Sequence, residues 1–279
     1  MLKELLKAIF LGIVEGITEW LPVSSTGHMI LVDEFLQLQA SEAFKEVFFV
    51  VIQFGAILAV LTLYWRRFVP LKKTKRGRTV GDPAVFRLWL KIIIACVPAA
   101  IVGLLFDDVL NRLFYNFQTV GLALIVFGVA FLVVENRNRG RAVRTRSTDE
   151  ITYRDAFIIG LFQLLAAIFP GTSRSGATIL GGIWLGVSRP AASEFTFFLA
   201  VPVMFGASLL KFIKLGFSYA AQEWVLLLVG TAVAYIVSIF AIRFLMDYVK
   251  KHDFKVFGWY RIVLGALVLA YWVFKLITG

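Results

Sequence analysis

The sequence is poor in charge and in cysteine, and each shortage excludes a class of protein. Charged residues make up 17% of the 279 residues, well below the roughly one quarter that is usual in soluble domains. Cys96 is the single cysteine and lies in an apolar run, which excludes an intramolecular disulfide and favours a small core residue. The net charge of +11 is spread over short loops between apolar runs, a pattern that argues against a nucleic-acid-binding face.

Long apolar runs dominate the chain instead. The mean hydropathy of +0.82 and the 59% of hydrophobic residues predict an all-α polytopic membrane protein. Glu15 and Glu19 interrupt the first apolar run, and no small-residue cleavage site follows it, so we predict no signal peptide. Six runs are long enough to span a bilayer, and we place them at 47–65, 88–106, 117–134, 195–213, 224–246 and 257–274.

Two shorter apolar stretches are broken by polar segments, the first elbow at residues 22–28 and the second elbow at residues 170–178. Pro22 and Pro170 end the preceding helices, because proline has no N–H to donate and its ring clashes with the turn before it. The apolar run at 29–38 that follows the first elbow is about half of the roughly 20 residues that a spanning helix needs. We therefore predict a re-entrant helical hairpin at each elbow.

The two halves of the sequence repeat one pattern. Residues 12–15 match residues 160–163, and the same offset carries the match into both elbows. Each half, 1–136 and 153–279, contains one hairpin and three spans, and an odd number of crossings predicts an inverted-topology repeat within a single membrane domain. The alignment pairs Pro22 with Pro170, Ser24 with Thr172, and Ser25 with Ser173.

Loop charges predict the orientation of the chain. The basic loop 66–78 and the arginine-rich linker between the halves should both be cytoplasmic. Asp107 and Asp108 mark an outer loop. Both termini should then lie outside, with the first hairpin entering from the outer face and the second from the cytoplasm, so that the two elbows meet inside the membrane.

The second elbow has the chemistry of an anion cradle. Arg174 supplies a planar fork that matches two phosphate oxygens, while Ser173, Ser175 and Thr178 supply short donors. Because glycine has no Cβ, Gly171 can adopt a positive φ and let a ligand approach the backbone closely. A helix that restarts near Ser175 would point free N–H groups at the same place. Irregular polar backbone is tolerated in lipid only beside protein or a cavity, which favours a site over a chance loop.

The first elbow adds two carboxylates and a histidine. Glu15 and Glu19 share one face of a helix, and buried carboxylates are costly in a membrane. The pair could hold a divalent cation, orient and charge His28, or form an interhelical salt bridge with Arg174; the sequence leaves these three interpretations open. His28 ends the elbow beside Ser25, which suggests a role in proton transfer.

These motifs resemble the bacterial undecaprenyl-diphosphate phosphatase family, also called bacitracin-resistance proteins. The likeness rests on Glu15-x-x-x-Glu19, the run L-P-V-S-S-T-G-H at 21–28 and P-G-T-S-R-S-G-A-T at 170–178, and it covers essentially the whole chain. It implies hydrolysis of undecaprenyl diphosphate to the monophosphate and phosphate, which recycles the lipid carrier of peptidoglycan synthesis and gives bacitracin resistance. It further implies a bacterial inner-membrane location with a site open to the outer, periplasmic side, a divalent cation (Mg²⁺ or Ca²⁺) and a homodimer.

Within that chemistry each polar residue receives an expected role. Ser25 or an activated water attacks, His28 takes or relays the proton, Glu19 orients His28, and Arg174 stabilises the transferred phosphoryl group. Substrate phosphate is bound by Thr26, Gly171, Ser173, Ser175 and Thr178, and the metal-ligand candidates are Glu15 and Glu19.

A secondary transporter is the alternative, because broken helices that meet at mid-membrane are also the architecture of carriers. A nucleophile, a histidine and paired carboxylates exceed what anion binding requires, and this favours the phosphatase.

Overall fold

The structure, a computed structural model, describes residues 1–73, 79–216 and 219–278 and is built almost entirely of α-helices. A short antiparallel pair, β1 (Leu71–Lys73) and β2 (Thr79–Gly81), and a 3₁₀ turn at Thr148–Glu150 complete the described elements. The predicted cytoplasmic loop lies partly outside the described residues, at 74–78. The helices are α1 (Leu2–Thr18), α2 (Ser25–Phe35), α3 (Glu42–Phe68), α4 (Pro83–Phe114), α5 (Phe117–Asn138), α6 (Tyr153–Ile168), α7 (Arg174–Trp184), α8 (Arg189–Leu215), α9 (Ala221–Val249) and α10 (Lys255–Thr278).

Six of these helices, α3, α4, α5, α8, α9 and α10, are long and apolar enough to cross a membrane. The prediction of a multi-pass helical membrane protein is confirmed at this level, and each of the six contains one predicted span. Asp107 and Asp108, predicted to mark an outer loop, follow directly after the apolar span that ends at Phe106, but they are helical rather than irregular, because α4 continues to Phe114. Neither proline nor glycine occurs between residues 104 and 114, so the chain has no breaker there.

Helix pairs approach closely through small residues. α1 packs along α9, where a Cβ added at Gly16 would lie 2.9 Å from the carbonyl oxygen of Ala234. α6 packs along α4 through Gly160, and α5 packs along α10, where a Cβ at Gly128 would lie 2.7 Å from the carbonyl oxygen of Gly258. Such contacts let helices gain van der Waals packing in lipid, where the hydrophobic effect does not drive helices together.

The two elbows have the same strained geometry. Ser24 and Ser173 have φ of 75° and 67°, and they are the non-glycine residues with positive φ in the described parts of the chain. Each caps the helix that follows: the Ser24 hydroxyl accepts from the Gly27 N–H at 3.2 Å, and the Ser173 hydroxyl accepts from the Gly176 N–H at 3.1 Å. Ser24 is therefore the geometric counterpart of Ser173.

The predicted pairing of Ser25 with Ser173 is wrong by one residue. The sequence alignment keeps an offset of 148 residues up to Ser25 and Ser173, whereas the cap geometry pairs Ser24 with Ser173, an offset of 149, so the second elbow has one more residue before its capping serine. Ser25 instead corresponds to Arg174, since each is the first residue of its helix. Ser25, the nucleophile candidate, and Arg174, the predicted catalytic arginine, thus occupy the same structural position in the two elbows.

Candidate active site between the two elbows

The elbows are joined by an arginine that the sequence analysis missed. Arg261 of α10 is fully buried. Its guanidinium donates to the carbonyl oxygen of Pro22 in the first elbow, at 3.3 Å, and to those of Gly171 and Thr172 in the second, at 3.1 and 2.6 Å. The available signal was an arginine inside an apolar run, which is costly in lipid and by default marks a functional position.

Glu19 forms the centre of the site. One oxygen of its carboxylate accepts from Arg174 Nη2 at 2.8 Å, and the other accepts from the Ser25 hydroxyl at 3.1 Å. Arg174 Nη1 also donates to the Thr196 carbonyl oxygen at 3.1 Å. The interhelical salt bridge considered above is therefore present. Glu19 orients Ser25 and Arg174 in the structure, in place of the predicted contact with His28.

Two adjoining cavities open onto this centre and share Ser25, Thr26 and Gln53 in their walls. The smaller has a volume of about 190 Å³, and the larger about 550 Å³. The larger cavity extends past Glu34 to Phe117 and is otherwise walled mainly by apolar side chains. The smaller cavity is bounded on the polar side by Glu19, Gly171, Ser173 and Arg174.

The predicted phosphate-binding residues divide into two groups. Thr26, Gly171 and Ser173 line a cavity. Ser175 and Thr178 are buried, and neither lines these two cavities. The Ser175 hydroxyl lies 3.1 Å from that of Ser173, and the Thr178 hydroxyl lies 2.8 Å from that of Thr196. Ser175 thus supports Ser173, and Thr178 ties α7 to α8.

Among the described residues that line the two cavities, Glu15 Oε1 and Arg174 Nε are buried side-chain atoms without a hydrogen-bond partner. Glu15 lines the larger cavity and Arg174 the smaller. A cluster of three or more His, Cys, Asp or Glu side chains was not found in the described ranges. The unused carboxylate oxygen fits a hard cation that shares phosphate oxygens. Glu15 suits this role better than Glu19, whose two oxygens are already engaged.

His28 lies apart from this centre. Its Nδ1 is 2.7 Å from the Ser24 carbonyl oxygen, and its Nε2 is 2.7 Å from the Tyr260 hydroxyl. The two rings are stacked at 5.7 Å. His28 lines neither of the two cavities, and no hydrogen bond to Glu19 or Ser25 is found among the described side chains.

Fold and site together define a multi-pass helical membrane protein with a buried hydroxyl–carboxylate–arginine site between two helix breaks. A family model described as "Bacitracin resistance protein BacA" matches residues 8–267. The chain belongs to this family.

Full-length relatives agree with the family assignment. The chain is 60% identical over 278 residues to an undecaprenyl-diphosphatase of Desulfitobacterium hafniense, covering 100% of this chain and 99% of the relative. It is 59% identical to undecaprenyl-diphosphatase 1 of Clostridium acetobutylicum, with coverage of 97% and 98%. It is 58% identical to an undecaprenyl-diphosphatase of Enterococcus faecalis, with coverage of 95% and 96%.

Proposed function

We propose that this protein is a membrane hydrolase that converts undecaprenyl diphosphate to undecaprenyl phosphate and inorganic phosphate. The observation that carries the proposal is the hydrogen-bonded series Ser25–Glu19–Arg174 in the wall of a cavity. The family and the names of relatives at 58–60% identity support the choice of substrate. In the cell this reaction would recycle the lipid carrier of peptidoglycan synthesis and confer bacitracin resistance.

The geometry gives each residue of the series a chemical task. Glu19 already accepts the Ser25 hydroxyl hydrogen, so it is placed to take that proton when Ser25 attacks the terminal phosphorus. That attack breaks the bond to the bridging oxygen and releases undecaprenyl phosphate, and water then cleaves the phosphoserine to inorganic phosphate and returns a proton to Ser25. In the alternative, Glu19 activates a water held by Ser25, and this water attacks phosphorus directly. Arg174 has an unused Nε donor and stabilises charge that develops on the transferred phosphoryl group. Ser173 and Thr26 hold the phosphate oxygens from the two sides of the cavity.

A divalent cation, Mg²⁺ or Ca²⁺, is part of the proposal. Glu15 would hold it through the unpaired Oε1, and Gln53, which carries an amide oxygen, lines the same cavity. When bound, the cation would neutralise part of the negative charge of the diphosphate. Glu15 then serves to place the cation, while Glu19 remains engaged with Ser25 and Arg174.

The inverted repeat and the re-entrant hairpins also belong to the proposal. α2 and α7 have 11 residues each, about half of the length that crosses a bilayer. The packing of α1 on α9 is matched by that of α6 on α4, as expected if the two halves exchange places about an axis in the membrane plane. We place the site in the bacterial inner membrane, open to the periplasmic side, and we expect a homodimer.

The test is phosphate release from undecaprenyl diphosphate by purified protein in detergent, where no second compartment exists. We expect turnover by the wild type and a loss of about 10²-fold or more in Arg174→Lys, because lysine keeps the charge but loses the bidentate fork. The matched control is Arg243→Lys, an exposed arginine on α9. Binding of undecaprenyl diphosphate without phosphate release would favour a carrier. A wild-type rate in Arg174→Lys would show that Arg174 does not take part in the reaction.

A further inference from the structure

Two neighbouring residues of α10 contact the two elbows. Arg261 is fully buried and holds backbone carbonyls of both elbows. Tyr260 is 47% exposed, and its hydroxyl reaches His28 of the first elbow. Tyr260 lies outside every motif that the sequence analysis singled out, and the mechanism above does not use it.

The hydrogen positions on His28 and Tyr260 follow from which of the neighbouring atoms can only accept a hydrogen bond. The Ser24 carbonyl oxygen can only accept, so the His28 Nδ1 beside it must carry the hydrogen. In the neutral imidazole, Nε2 is then an acceptor, and the Tyr260 hydroxyl donates to it. The result is a directed series of hydrogen bonds from Tyr260 through His28 to the backbone of Ser24.

That series ends at the strained residue of the first elbow. Ser24 has a φ of 75° and directly precedes Ser25, the residue that contacts Glu19. A non-glycine residue with such a positive φ is strained and persists only when its surroundings hold it. The second elbow has Ala177 at the position of His28, since the N–H groups of both residues donate to the carbonyl of the strained serine four residues earlier. In the second elbow, the backbone before the strained serine is held by Arg261, which donates hydrogen bonds to the carbonyl oxygens of Gly171 and Thr172.

We propose that Tyr260 is a positioning residue for catalysis. Through His28 it holds the backbone of Ser24, and so keeps the Ser25 hydroxyl aligned on Glu19. This inference rests on the proposed function. It assigns His28 to positioning and leaves the proton of Ser25 to Glu19.

The first experiment is a double-mutant cycle with Tyr260→Phe and His28→Ala, measured as phosphate release in detergent. Tyr260→Phe keeps the ring and removes the hydroxyl, and we expect kcat to fall roughly tenfold, the equivalent of one hydrogen bond, with KM changed less than twofold. If Tyr260 acts through His28, the double variant is no slower than His28→Ala alone. The control is Tyr235→Phe, whose hydroxyl contacts Thr62 on α3, and we expect it to leave kcat unchanged.

The second experiment separates positioning from proton transfer. His28→Asn places an amide donor near the Ser24 carbonyl but cannot exchange a proton at neutral pH. We expect it to recover at least tenfold of the kcat that His28→Ala loses. Equal inactivity of His28→Asn and His28→Ala would overturn the assignment of His28 to positioning.

The remaining outcomes are also decisive. Wild-type kcat in Tyr260→Phe, or losses that multiply in the double variant, would overturn the role of Tyr260. A wild-type protein that releases no phosphate overturns the proposed function alone. The link between Tyr260 and His28 is then judged from melting temperatures of the same four proteins, where additive shifts would contradict it.

Discussion

At the scale of single residues, the site depends on Glu19, a buried side chain whose two carboxylate oxygens both accept hydrogen bonds. Glu19 is 8% exposed, and both of its oxygens are hydrogen-bonded across the two elbows. Removal of one partner from such a pair leaves an uncompensated charge in a low-dielectric environment. The two elbows therefore depend on one another for stability as well as for chemistry.

Replacement of Ser25 by alanine and replacement of Ser173 by alanine should have different effects on turnover and on substrate affinity. Ser25→Ala should lose turnover but retain affinity for the lipid diphosphate, because the Arg174 side of the cavity survives. Ser173→Ala should weaken both affinity and rate, since it removes a contact present in the ground state and in the transition state. Equilibrium binding and single-turnover rates on the same purified variants check this. If Ser25→Ala keeps its rate and loses affinity, Ser25 binds substrate and water is the nucleophile.

We expect Arg261 to stabilise the folded protein, so that its replacement lowers the melting temperature as well as the activity. Arg261→Met removes donors from three backbone carbonyls in the two elbows, and each buried unpaired group costs about 1–3 kcal/mol. We expect the melting temperature in detergent to fall by several degrees, accompanied by loss of activity. Arg243→Met, at an exposed arginine on α9, is the control. Equal melting temperatures for both variants would contradict the bracing role.

At the scale of elements, hydropathy predicted the six long helices because an apolar run long enough to cross a bilayer has few alternatives to a helix. The elbows were also predictable, since proline and short polar residues interrupt apolar runs there. The residue-by-residue alignment of the two elbows was not predictable, because it depends on which serine caps the helix. Two adjacent serines, Ser24 and Ser25, fit the sequence pattern equally well. Tyr260 and Arg261 were missed because their partners are more than 80 residues away in sequence and follow no local period.

The contact of α1 with α9 should be intolerant of bulk. α1 carries Glu15 and leads directly into Glu19, so its position sets that of the carboxylates. Leucine at Gly16 would collide with the Ala234 carbonyl oxygen and Val237, and overpacking of this kind costs about 1–3 kcal/mol. A Cβ added at Gly103 on α4 would have no neighbouring atom within 4 Å among the described residues. We expect Gly16→Leu to lower the melting temperature and activity, and Gly103→Leu to leave both near the wild type.

At the scale of the whole molecule, the site is assembled from both halves of the chain. Ser25 and Glu19 come from one half, and Arg174, Ser173 and Arg261 come from the other. In an inverted repeat the breaks of two short hairpins meet from opposite faces of the membrane, which brings polar residues together at depth without exposing them to lipid. The proposed topology is thus the physical reason that a diphosphate could be processed inside an apolar domain.

That topology can be tested directly with cysteines in a Cys96→Ala background. Lys72 and Gln39 are both exposed, and the charge of the loops predicts that Lys72 lies in the cytoplasm and Gln39 outside. In intact cells, an impermeant thiol reagent should label Gln39→Cys and spare Lys72→Cys. After the cells are broken open, Lys72→Cys should react as well, which shows that it is accessible. Labelling of Lys72→Cys in intact cells would overturn the orientation, because the basic loop would then lie outside and the first hairpin would have to enter from the cytoplasm.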